Sequence, residues 1–134
     1  MLGNQAARDY AGLRRDEAAS AKVLYAIDGT AAPGSPATEL ESLSAVAAAA
    51  VAAGGGHVLD TSHVMFPNGA ITLVLILAES HLSVHTWPEE ALVAVDLFSC
   101  GAIDGEAVVS RLIAGLRLAD VSVRQVERGR RPPA

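Results

Sequence analysis

Seven residues, Ile71-Thr72-Leu73-Val74-Leu75-Ile76-Leu77, limit the folds open to this chain more than any other stretch. Their aliphatic and β-branched side chains read as a strand, yet apolar residues do not alternate with polar ones, so both faces of that strand need cover. Helices can cover one face. Only two other stretches carry good helical patterning, too few to cover both sides of a sheet. The economical cover for the second face is the same sheet of another copy, which predicts a symmetric homodimer.

The rest of the chain fits around that strand. Pro67-Asn68-Gly69 reads as a turn, so residues 57–66 and 70–78 pair as a hairpin. An apolar run over 22–28 ended by Gly29 predicts a first strand, followed by a loop over 30–37 containing Pro33, Gly34 and Pro36. Thr38 and Glu41 have capping-box spacing and open a helix in which Leu40, Leu43, Val46, Ala47, Ala50 and Val51 recur at helical intervals until glycines 54–56. Residues 82–86 and 91–99 supply two more strands. A helix over 105–118, with Val108, Val109, Leu112, Ile113 and Leu116 on one face, precedes a last strand over 121–127. The order β-α-β-β-β-β-α-β predicts an α/β protein of the α+β type. It is expected to be a two-layer sandwich of a mainly antiparallel sheet with two helices on one face, the sheets packing face to face in a dimer (αββα). Residues 21–129 read as a single domain, 1–20 as an N-terminal extension and 130–134 as a loose tail.

Composition narrows the function classes. A chain of 134 residues with 51% hydrophobic content has material for one core. A formal net charge of -5 argues against a binder driven by nucleic-acid phosphates. The longest apolar runs fall far short of the roughly 20 residues a membrane-crossing helix needs. Met1 to Ser20 contains no apolar core of a signal peptide, so a cytoplasmic location is expected. A single cysteine, Cys100, rules out an intrachain disulfide, and the scattered His57, His63 and His81 give no metal-ligand spacing, so no metal is expected.

Reactive side chains concentrate between Glu79 and Cys100, where Ser80, His81, Ser83, His85, Glu89 and Asp96 also lie within otherwise apolar sequence. Taken singly, each has an ordinary reading: Ser80 as a solvated loop serine, His85 as a strand histidine, Cys100 as an inert buried thiol, Asp96 as a hydrogen-bonded sheet residue. Trp87 and Pro88 read as structural. Together they form the blocks Glu79-Ser80-His81, His85-Thr86-Trp87-Pro88-Glu89 and Asp96-Leu97-Phe98-Ser99-Cys100-Gly101. In that order and spacing the chain resembles the self-processing prokaryotic S-adenosylmethionine decarboxylases. The resemblance runs from about His57 to Gly129 and fades before Gly54.

The resemblance implies that the protein is a zymogen that cuts itself between Glu79 and Ser80. The Ser80 hydroxyl would attack the Glu79 carbonyl and turn the amide into an ester. His85 would then remove the Ser80 α-proton as processing base, with Thr72 as the processing hydroxyl, a position where the family commonly has Ser. A covalent pyruvoyl group derived from Ser80 would follow, able to form a Schiff base with a substrate amine, and Cys100 would donate a proton after carbon dioxide leaves. The family's sites are shared between subunits, so Ser80 and Cys100 would work with Thr72 and His85 of a second copy.

On the substrate side, Glu89 corresponds to the residue that holds the ribose, and Phe66 or Met65 to an aromatic against adenine. At the first strand the chain departs from the family pattern, with Lys22 at a histidine position and Asp28 replacing an aromatic. Three readings follow: decarboxylation of S-adenosylmethionine for spermidine and other polyamines; the same lyase chemistry on L-arginine or L-ornithine, with Asp28 meeting the distal cation; or a non-catalytic dimeric homologue.

Overall fold

The computed structural model describes residues 21–129; the expected extension over 1–20 and tail over 130–134 lie outside the described residues. The elements are β1 (Lys22–Ala31), α1 (Leu40–Ala53), β2 (Val58–Met65), β3 (Ile71–Leu77), β4 (Ser80–Trp87), β5 (Leu92–Ser99), α2 (Gly105–Gly115) and β6 (Leu118–Arg128), with short 3₁₀ turns at Pro36–Thr38 and Pro88–Glu90. The strands form one six-stranded sheet in the order β2-β3-β4-β5-β1-β6. Every neighbouring pair is antiparallel. The two longer crossovers, β1 to β2 and β5 to β6, each carry a helix. The architecture is the expected α+β sandwich.

Both helices bury their apolar stripes on one face of the sheet. In α1 the buried positions Leu43, Ala47, Ala50 and Val51 follow helical spacing, and in α2 they are Val108, Val109 and Leu112. They meet the alternate residues of the strands, among them Ile27, Leu73, Leu75, Leu82, Val84, Val95 and Leu97, in one core cluster. The helices touch where α1 ends: the Gly54 carbonyl accepts from Asp104 N at 2.9 Å. A Cβ at Gly54 would run into Val108 Cγ2 and lie 2.8 Å from the Asp104 carbonyl oxygen, so only glycine fits. On the same face Tyr25 is held above its ordinary phenol pKa, first by burial and then by the negative charges of Glu106 and Asp104.

Several boundaries differ from the sequence expectation. Helix α1 starts at Leu40 and the capping box does not form: Thr38 sits in the preceding 3₁₀ turn, where its Oγ1 donates to the Ser35 carbonyl at 2.7 Å. Gly29 does not end β1. It sits at a register shift between Asp28 and Thr30, the signature of a bulge, and the strand continues to Ala31. That continuation pairs Ala31 with Leu118, which starts β6 three residues before the expected position and shortens α2. β4 begins at Ser80, not residue 82.

The second face of β3 is left open by its own chain. Ile71, Leu73, Leu75 and Leu77 are buried, but Thr72 and Val74 are half-buried and Ile76 is 47% exposed. Within one chain the described residues therefore cover only one side of this strand.

Candidate active site

Ala78 and Glu79 join β3 to β4, with Leu77 paired to Ser80. Glu79 has φ 51°, a left-handed backbone that costs a residue with a Cβ about 1–2 kcal/mol. That strain lies at the residue whose carbonyl carbon adjoins Ser80. The Ser80 side chain points to the helix-covered face and is 8% exposed. Its Oγ accepts from the Cys100 backbone N–H at 3.0 Å. Cys100, just beyond the end of β5, is also buried. A cleft of about 420 Å³ opens here, lined by Leu77, Glu79, Ser80, His81 and Phe98. On its outer side His81 and Phe98 stack with centroids 6.0 Å apart and planes 8° apart, and the Arg128 guanidinium stands 5.9 Å from the centre of the Phe98 ring.

The other expected site residues gather toward the opposite end of the strands. Thr72 and His85 are cross-strand partners, and Thr72 Oγ1 lies 3.1 Å from His85 Nδ1. They line a cleft of about 570 Å³ together with Phe66, Asn68, Thr86 and Trp87. Phe66 belongs to this cleft. Met65 does not line it, and pairs with Ile71 of the helix-covered face. Glu89 stands at the rim, where Asn68 Nδ2 donates to its Oε1 at 2.8 Å. Asn68 was legible in the sequence only as part of a turn. Its amide also accepts from Ala70 N at 3.1 Å, so one side chain shapes the turn and fixes Glu89. Asp28 shares a sheet row with His85 across Ala94, and its carboxylate lies 3.6 Å from Arg124.

Ser80 and His85 are five residues apart on one strand, about 17 Å at the rise of a β-strand. The odd spacing also sends their side chains to opposite faces of the sheet. The chain thus brings Ser80 to Cys100, and Thr72 to His85 and Phe66, but does not bring the two groups together. No group of three or more His, Cys, Asp or Glu side chains converges among the described residues, and none of their helices is long and apolar enough to cross a membrane.

Comparison with known proteins decides the family. The model of S-adenosylmethionine decarboxylase matches residues 24–129. The chain belongs to the S-adenosylmethionine decarboxylase family. The match begins at Leu24, so family character extends through β1 and α1, where the motif-based resemblance had faded. Relatives include the S-adenosylmethionine decarboxylase proenzyme of Thermotoga maritima, 40% identical over 83 residues that span 61% of this chain and 63% of the relative. Proenzyme 2 of Bacillus anthracis is 33% identical over 76 residues, 56% of this chain and 62% of its own length. The proenzyme of Symbiobacterium thermophilum is 41% identical over 76 residues, 56% of this chain and 58% of its own length. The matched stretches span about three-fifths of these relatives. Among solved structures, the adenosylmethionine decarboxylase of Aquifex aeolicus has the same fold, with TM-score 0.73 and 23% identity over 86% of this chain and 96% of that one.

Proposed function

We propose that this member of the S-adenosylmethionine decarboxylase family is a precursor that cuts itself between Glu79 and Ser80 and becomes a pyruvoyl-dependent decarboxylase of S-adenosylmethionine. It would act in the cytoplasm, in polyamine synthesis, as a homodimer of processed units with shared sites. The observation that carries the reading is the buried Ser80 hydroxyl directly after a left-handed Glu79. A serine placed to attack the preceding carbonyl is what self-cleavage needs, and release of the turn strain favours it.

The residues present fit a pyruvoyl group at position 80: Ser80 is buried at the edge of a cleft through which a substrate could reach it, and Cys100 adjoins it. In the cleavage, Ser80 Oγ bonds to the Glu79 carbonyl carbon, the amide C–N bond breaks, and the proton from the hydroxyl ends on the freed nitrogen. Removal of the Ser80 α-proton then expels the Glu79 carboxylate, leaving dehydroalanine; water adds and ammonia departs. His85 is the base, its ring held by Thr72 at 3.1 Å. Because His85 and Ser80 of one chain stand far apart on opposite faces, the base comes from a second copy. That copy would also cover the open face of β3. A pyruvoyl group there would supply the sink for the electron pair left on the substrate carbon as carbon dioxide departs. The buried Cys100 thiol would deliver a proton to that carbon, while the cleft at Phe66 and the Glu89 carboxylate would hold the nucleoside end of the substrate. Asp28 has a cation of its own chain 3.6 Å away in Arg124, which favours S-adenosylmethionine over arginine or ornithine as substrate.

Mass spectrometry of the purified protein tests the reading: two fragments, residues 1–79 and a blocked chain from position 80, are expected. Carbon dioxide release should then be seen with S-adenosylmethionine and not with arginine or ornithine. A chain that stays whole and inactive over days would overturn the proposal.

A further inference from the structure

Four polar side chains in the described residues are buried: Ser35, Ser80, Thr86 and Ser99. Three have evident work. Ser35 donates to the Leu116 carbonyl at 2.6 Å, Thr86 Oγ1 accepts from Ile71 N at 2.9 Å, and Ser80 Oγ accepts from Cys100 N at 3.0 Å. Ser99, only 6% exposed, makes no side-chain hydrogen bond among the described residues. A buried hydroxyl without a partner is a net cost to folding, so its presence calls for a use.

Its place in the sheet suggests the use. The register that pairs His81 with Phe98 sets Ser80 opposite Ser99 on neighbouring strands, and both side chains point to the helix-covered face. Directly opposed side chains in an antiparallel pair have Cβ atoms about 5 Å apart, within reach of a hydroxyl–hydroxyl bond. The Ser80 oxygen already receives a hydrogen bond from Cys100 N, which leaves its own O–H in need of an acceptor.

We propose that Ser99 is a positioning residue for self-cleavage: its Oγ, without a partner in the resting fold, takes up the Ser80 O–H when the two side chains rotate toward each other for the attack, and so turns the remaining Ser80 lone pair toward the Glu79 carbonyl carbon. This rests on the self-cleavage reading. Ser99 makes no covalent bond; it holds the proton that must leave Ser80 Oγ as the new C–O bond forms and the C–N bond breaks.

The test compares newly made wild-type chain with Ser99→Ala and Ser99→Thr, following cleavage in time on denaturing gels and measuring the melting temperature of each. Ser99→Ala should cleave at least about tenfold more slowly, the size of one hydrogen bond to a reacting group. It should melt no lower than wild type, since it removes an unpartnered polar atom. Ser99→Thr, which keeps the hydroxyl, should recover most of the rate. Wild-type cleavage speed in Ser99→Ala, a Ser99→Thr as slow as Ser99→Ala, or slow cleavage that tracks a lowered melting temperature would each overturn the inference. A wild-type chain that never cleaves would instead strike the self-cleavage reading itself.

Discussion

The two ends of β4 carry the two groups of residues to which the proposed chemistry falls, and they are built differently. At the start of the strand Ser80, Ser99 and Cys100 are buried at 8%, 6% and 3% exposure, under a strained two-residue connection. Toward its other end Thr72 and His85 sit half-buried on the face that no helix covers, beside an open cleft. Alternation along a strand makes the difference unavoidable: an even step keeps a residue on one face and an odd step moves it to the other. The first half is shielded by its own chain, a setting that suits the attacking hydroxyl and the proton donor proposed for it. The second half is left facing outward, where the proposed base could serve a site in a second copy that it does not reach in its own chain.

The most forceful way to break that contrast is to separate the halves genetically. Ser80→Ala should abolish cleavage, and His85→Ala should slow it by about 10²–10⁴, the usual worth of a positioned base. Mixed dimers of the two variants should regain cleavage of the chain that retains Ser80, read by mass spectrometry. No rescue would mean that the halves do not meet between copies.

A smaller effect separates processing from turnover within the buried half. Cys100→Ala should still cleave, but its carbon dioxide release from S-adenosylmethionine should fall about 10²-fold for want of the proton donor. Full activity would remove the thiol from the mechanism. The smallest effect concerns the open half: Asn68→Ala frees Glu89 and should raise KM by about tenfold, the worth of one hydrogen bond to a charged group, with kcat little changed. An unchanged KM would show that Glu89 needs no such hold.

Much of this was readable in the residues. The turn at 67–69, the helical spacing in α1 and α2 and the element order are local properties, and the blocks around Ser80, His85 and Cys100 announced a site. Where local signals competed, the reading slipped. Gly29 read as a stop and is a bulge, because pairing on both sides of β1 carries the strand past it. Thr38 read as a helix cap, and its hydroxyl is drawn into a 3₁₀ turn instead. Asn68 read as turn chemistry alone, because its contact with Glu89 spans 21 positions that no local pattern records.

What the sequence determined by itself is the family, through a serine, a histidine and a cysteine at family spacing, and an apolar strand with more hydrophobic faces than its own helices can cover. What only the tertiary structure decided is who meets whom. Pairing of distant strands sets Ser80 against Ser99 and Cys100, leaves His85 on the far side of the sheet, and gives Asp28 to Arg124, because contacts between strands depend on register and face, which no single stretch of chain specifies.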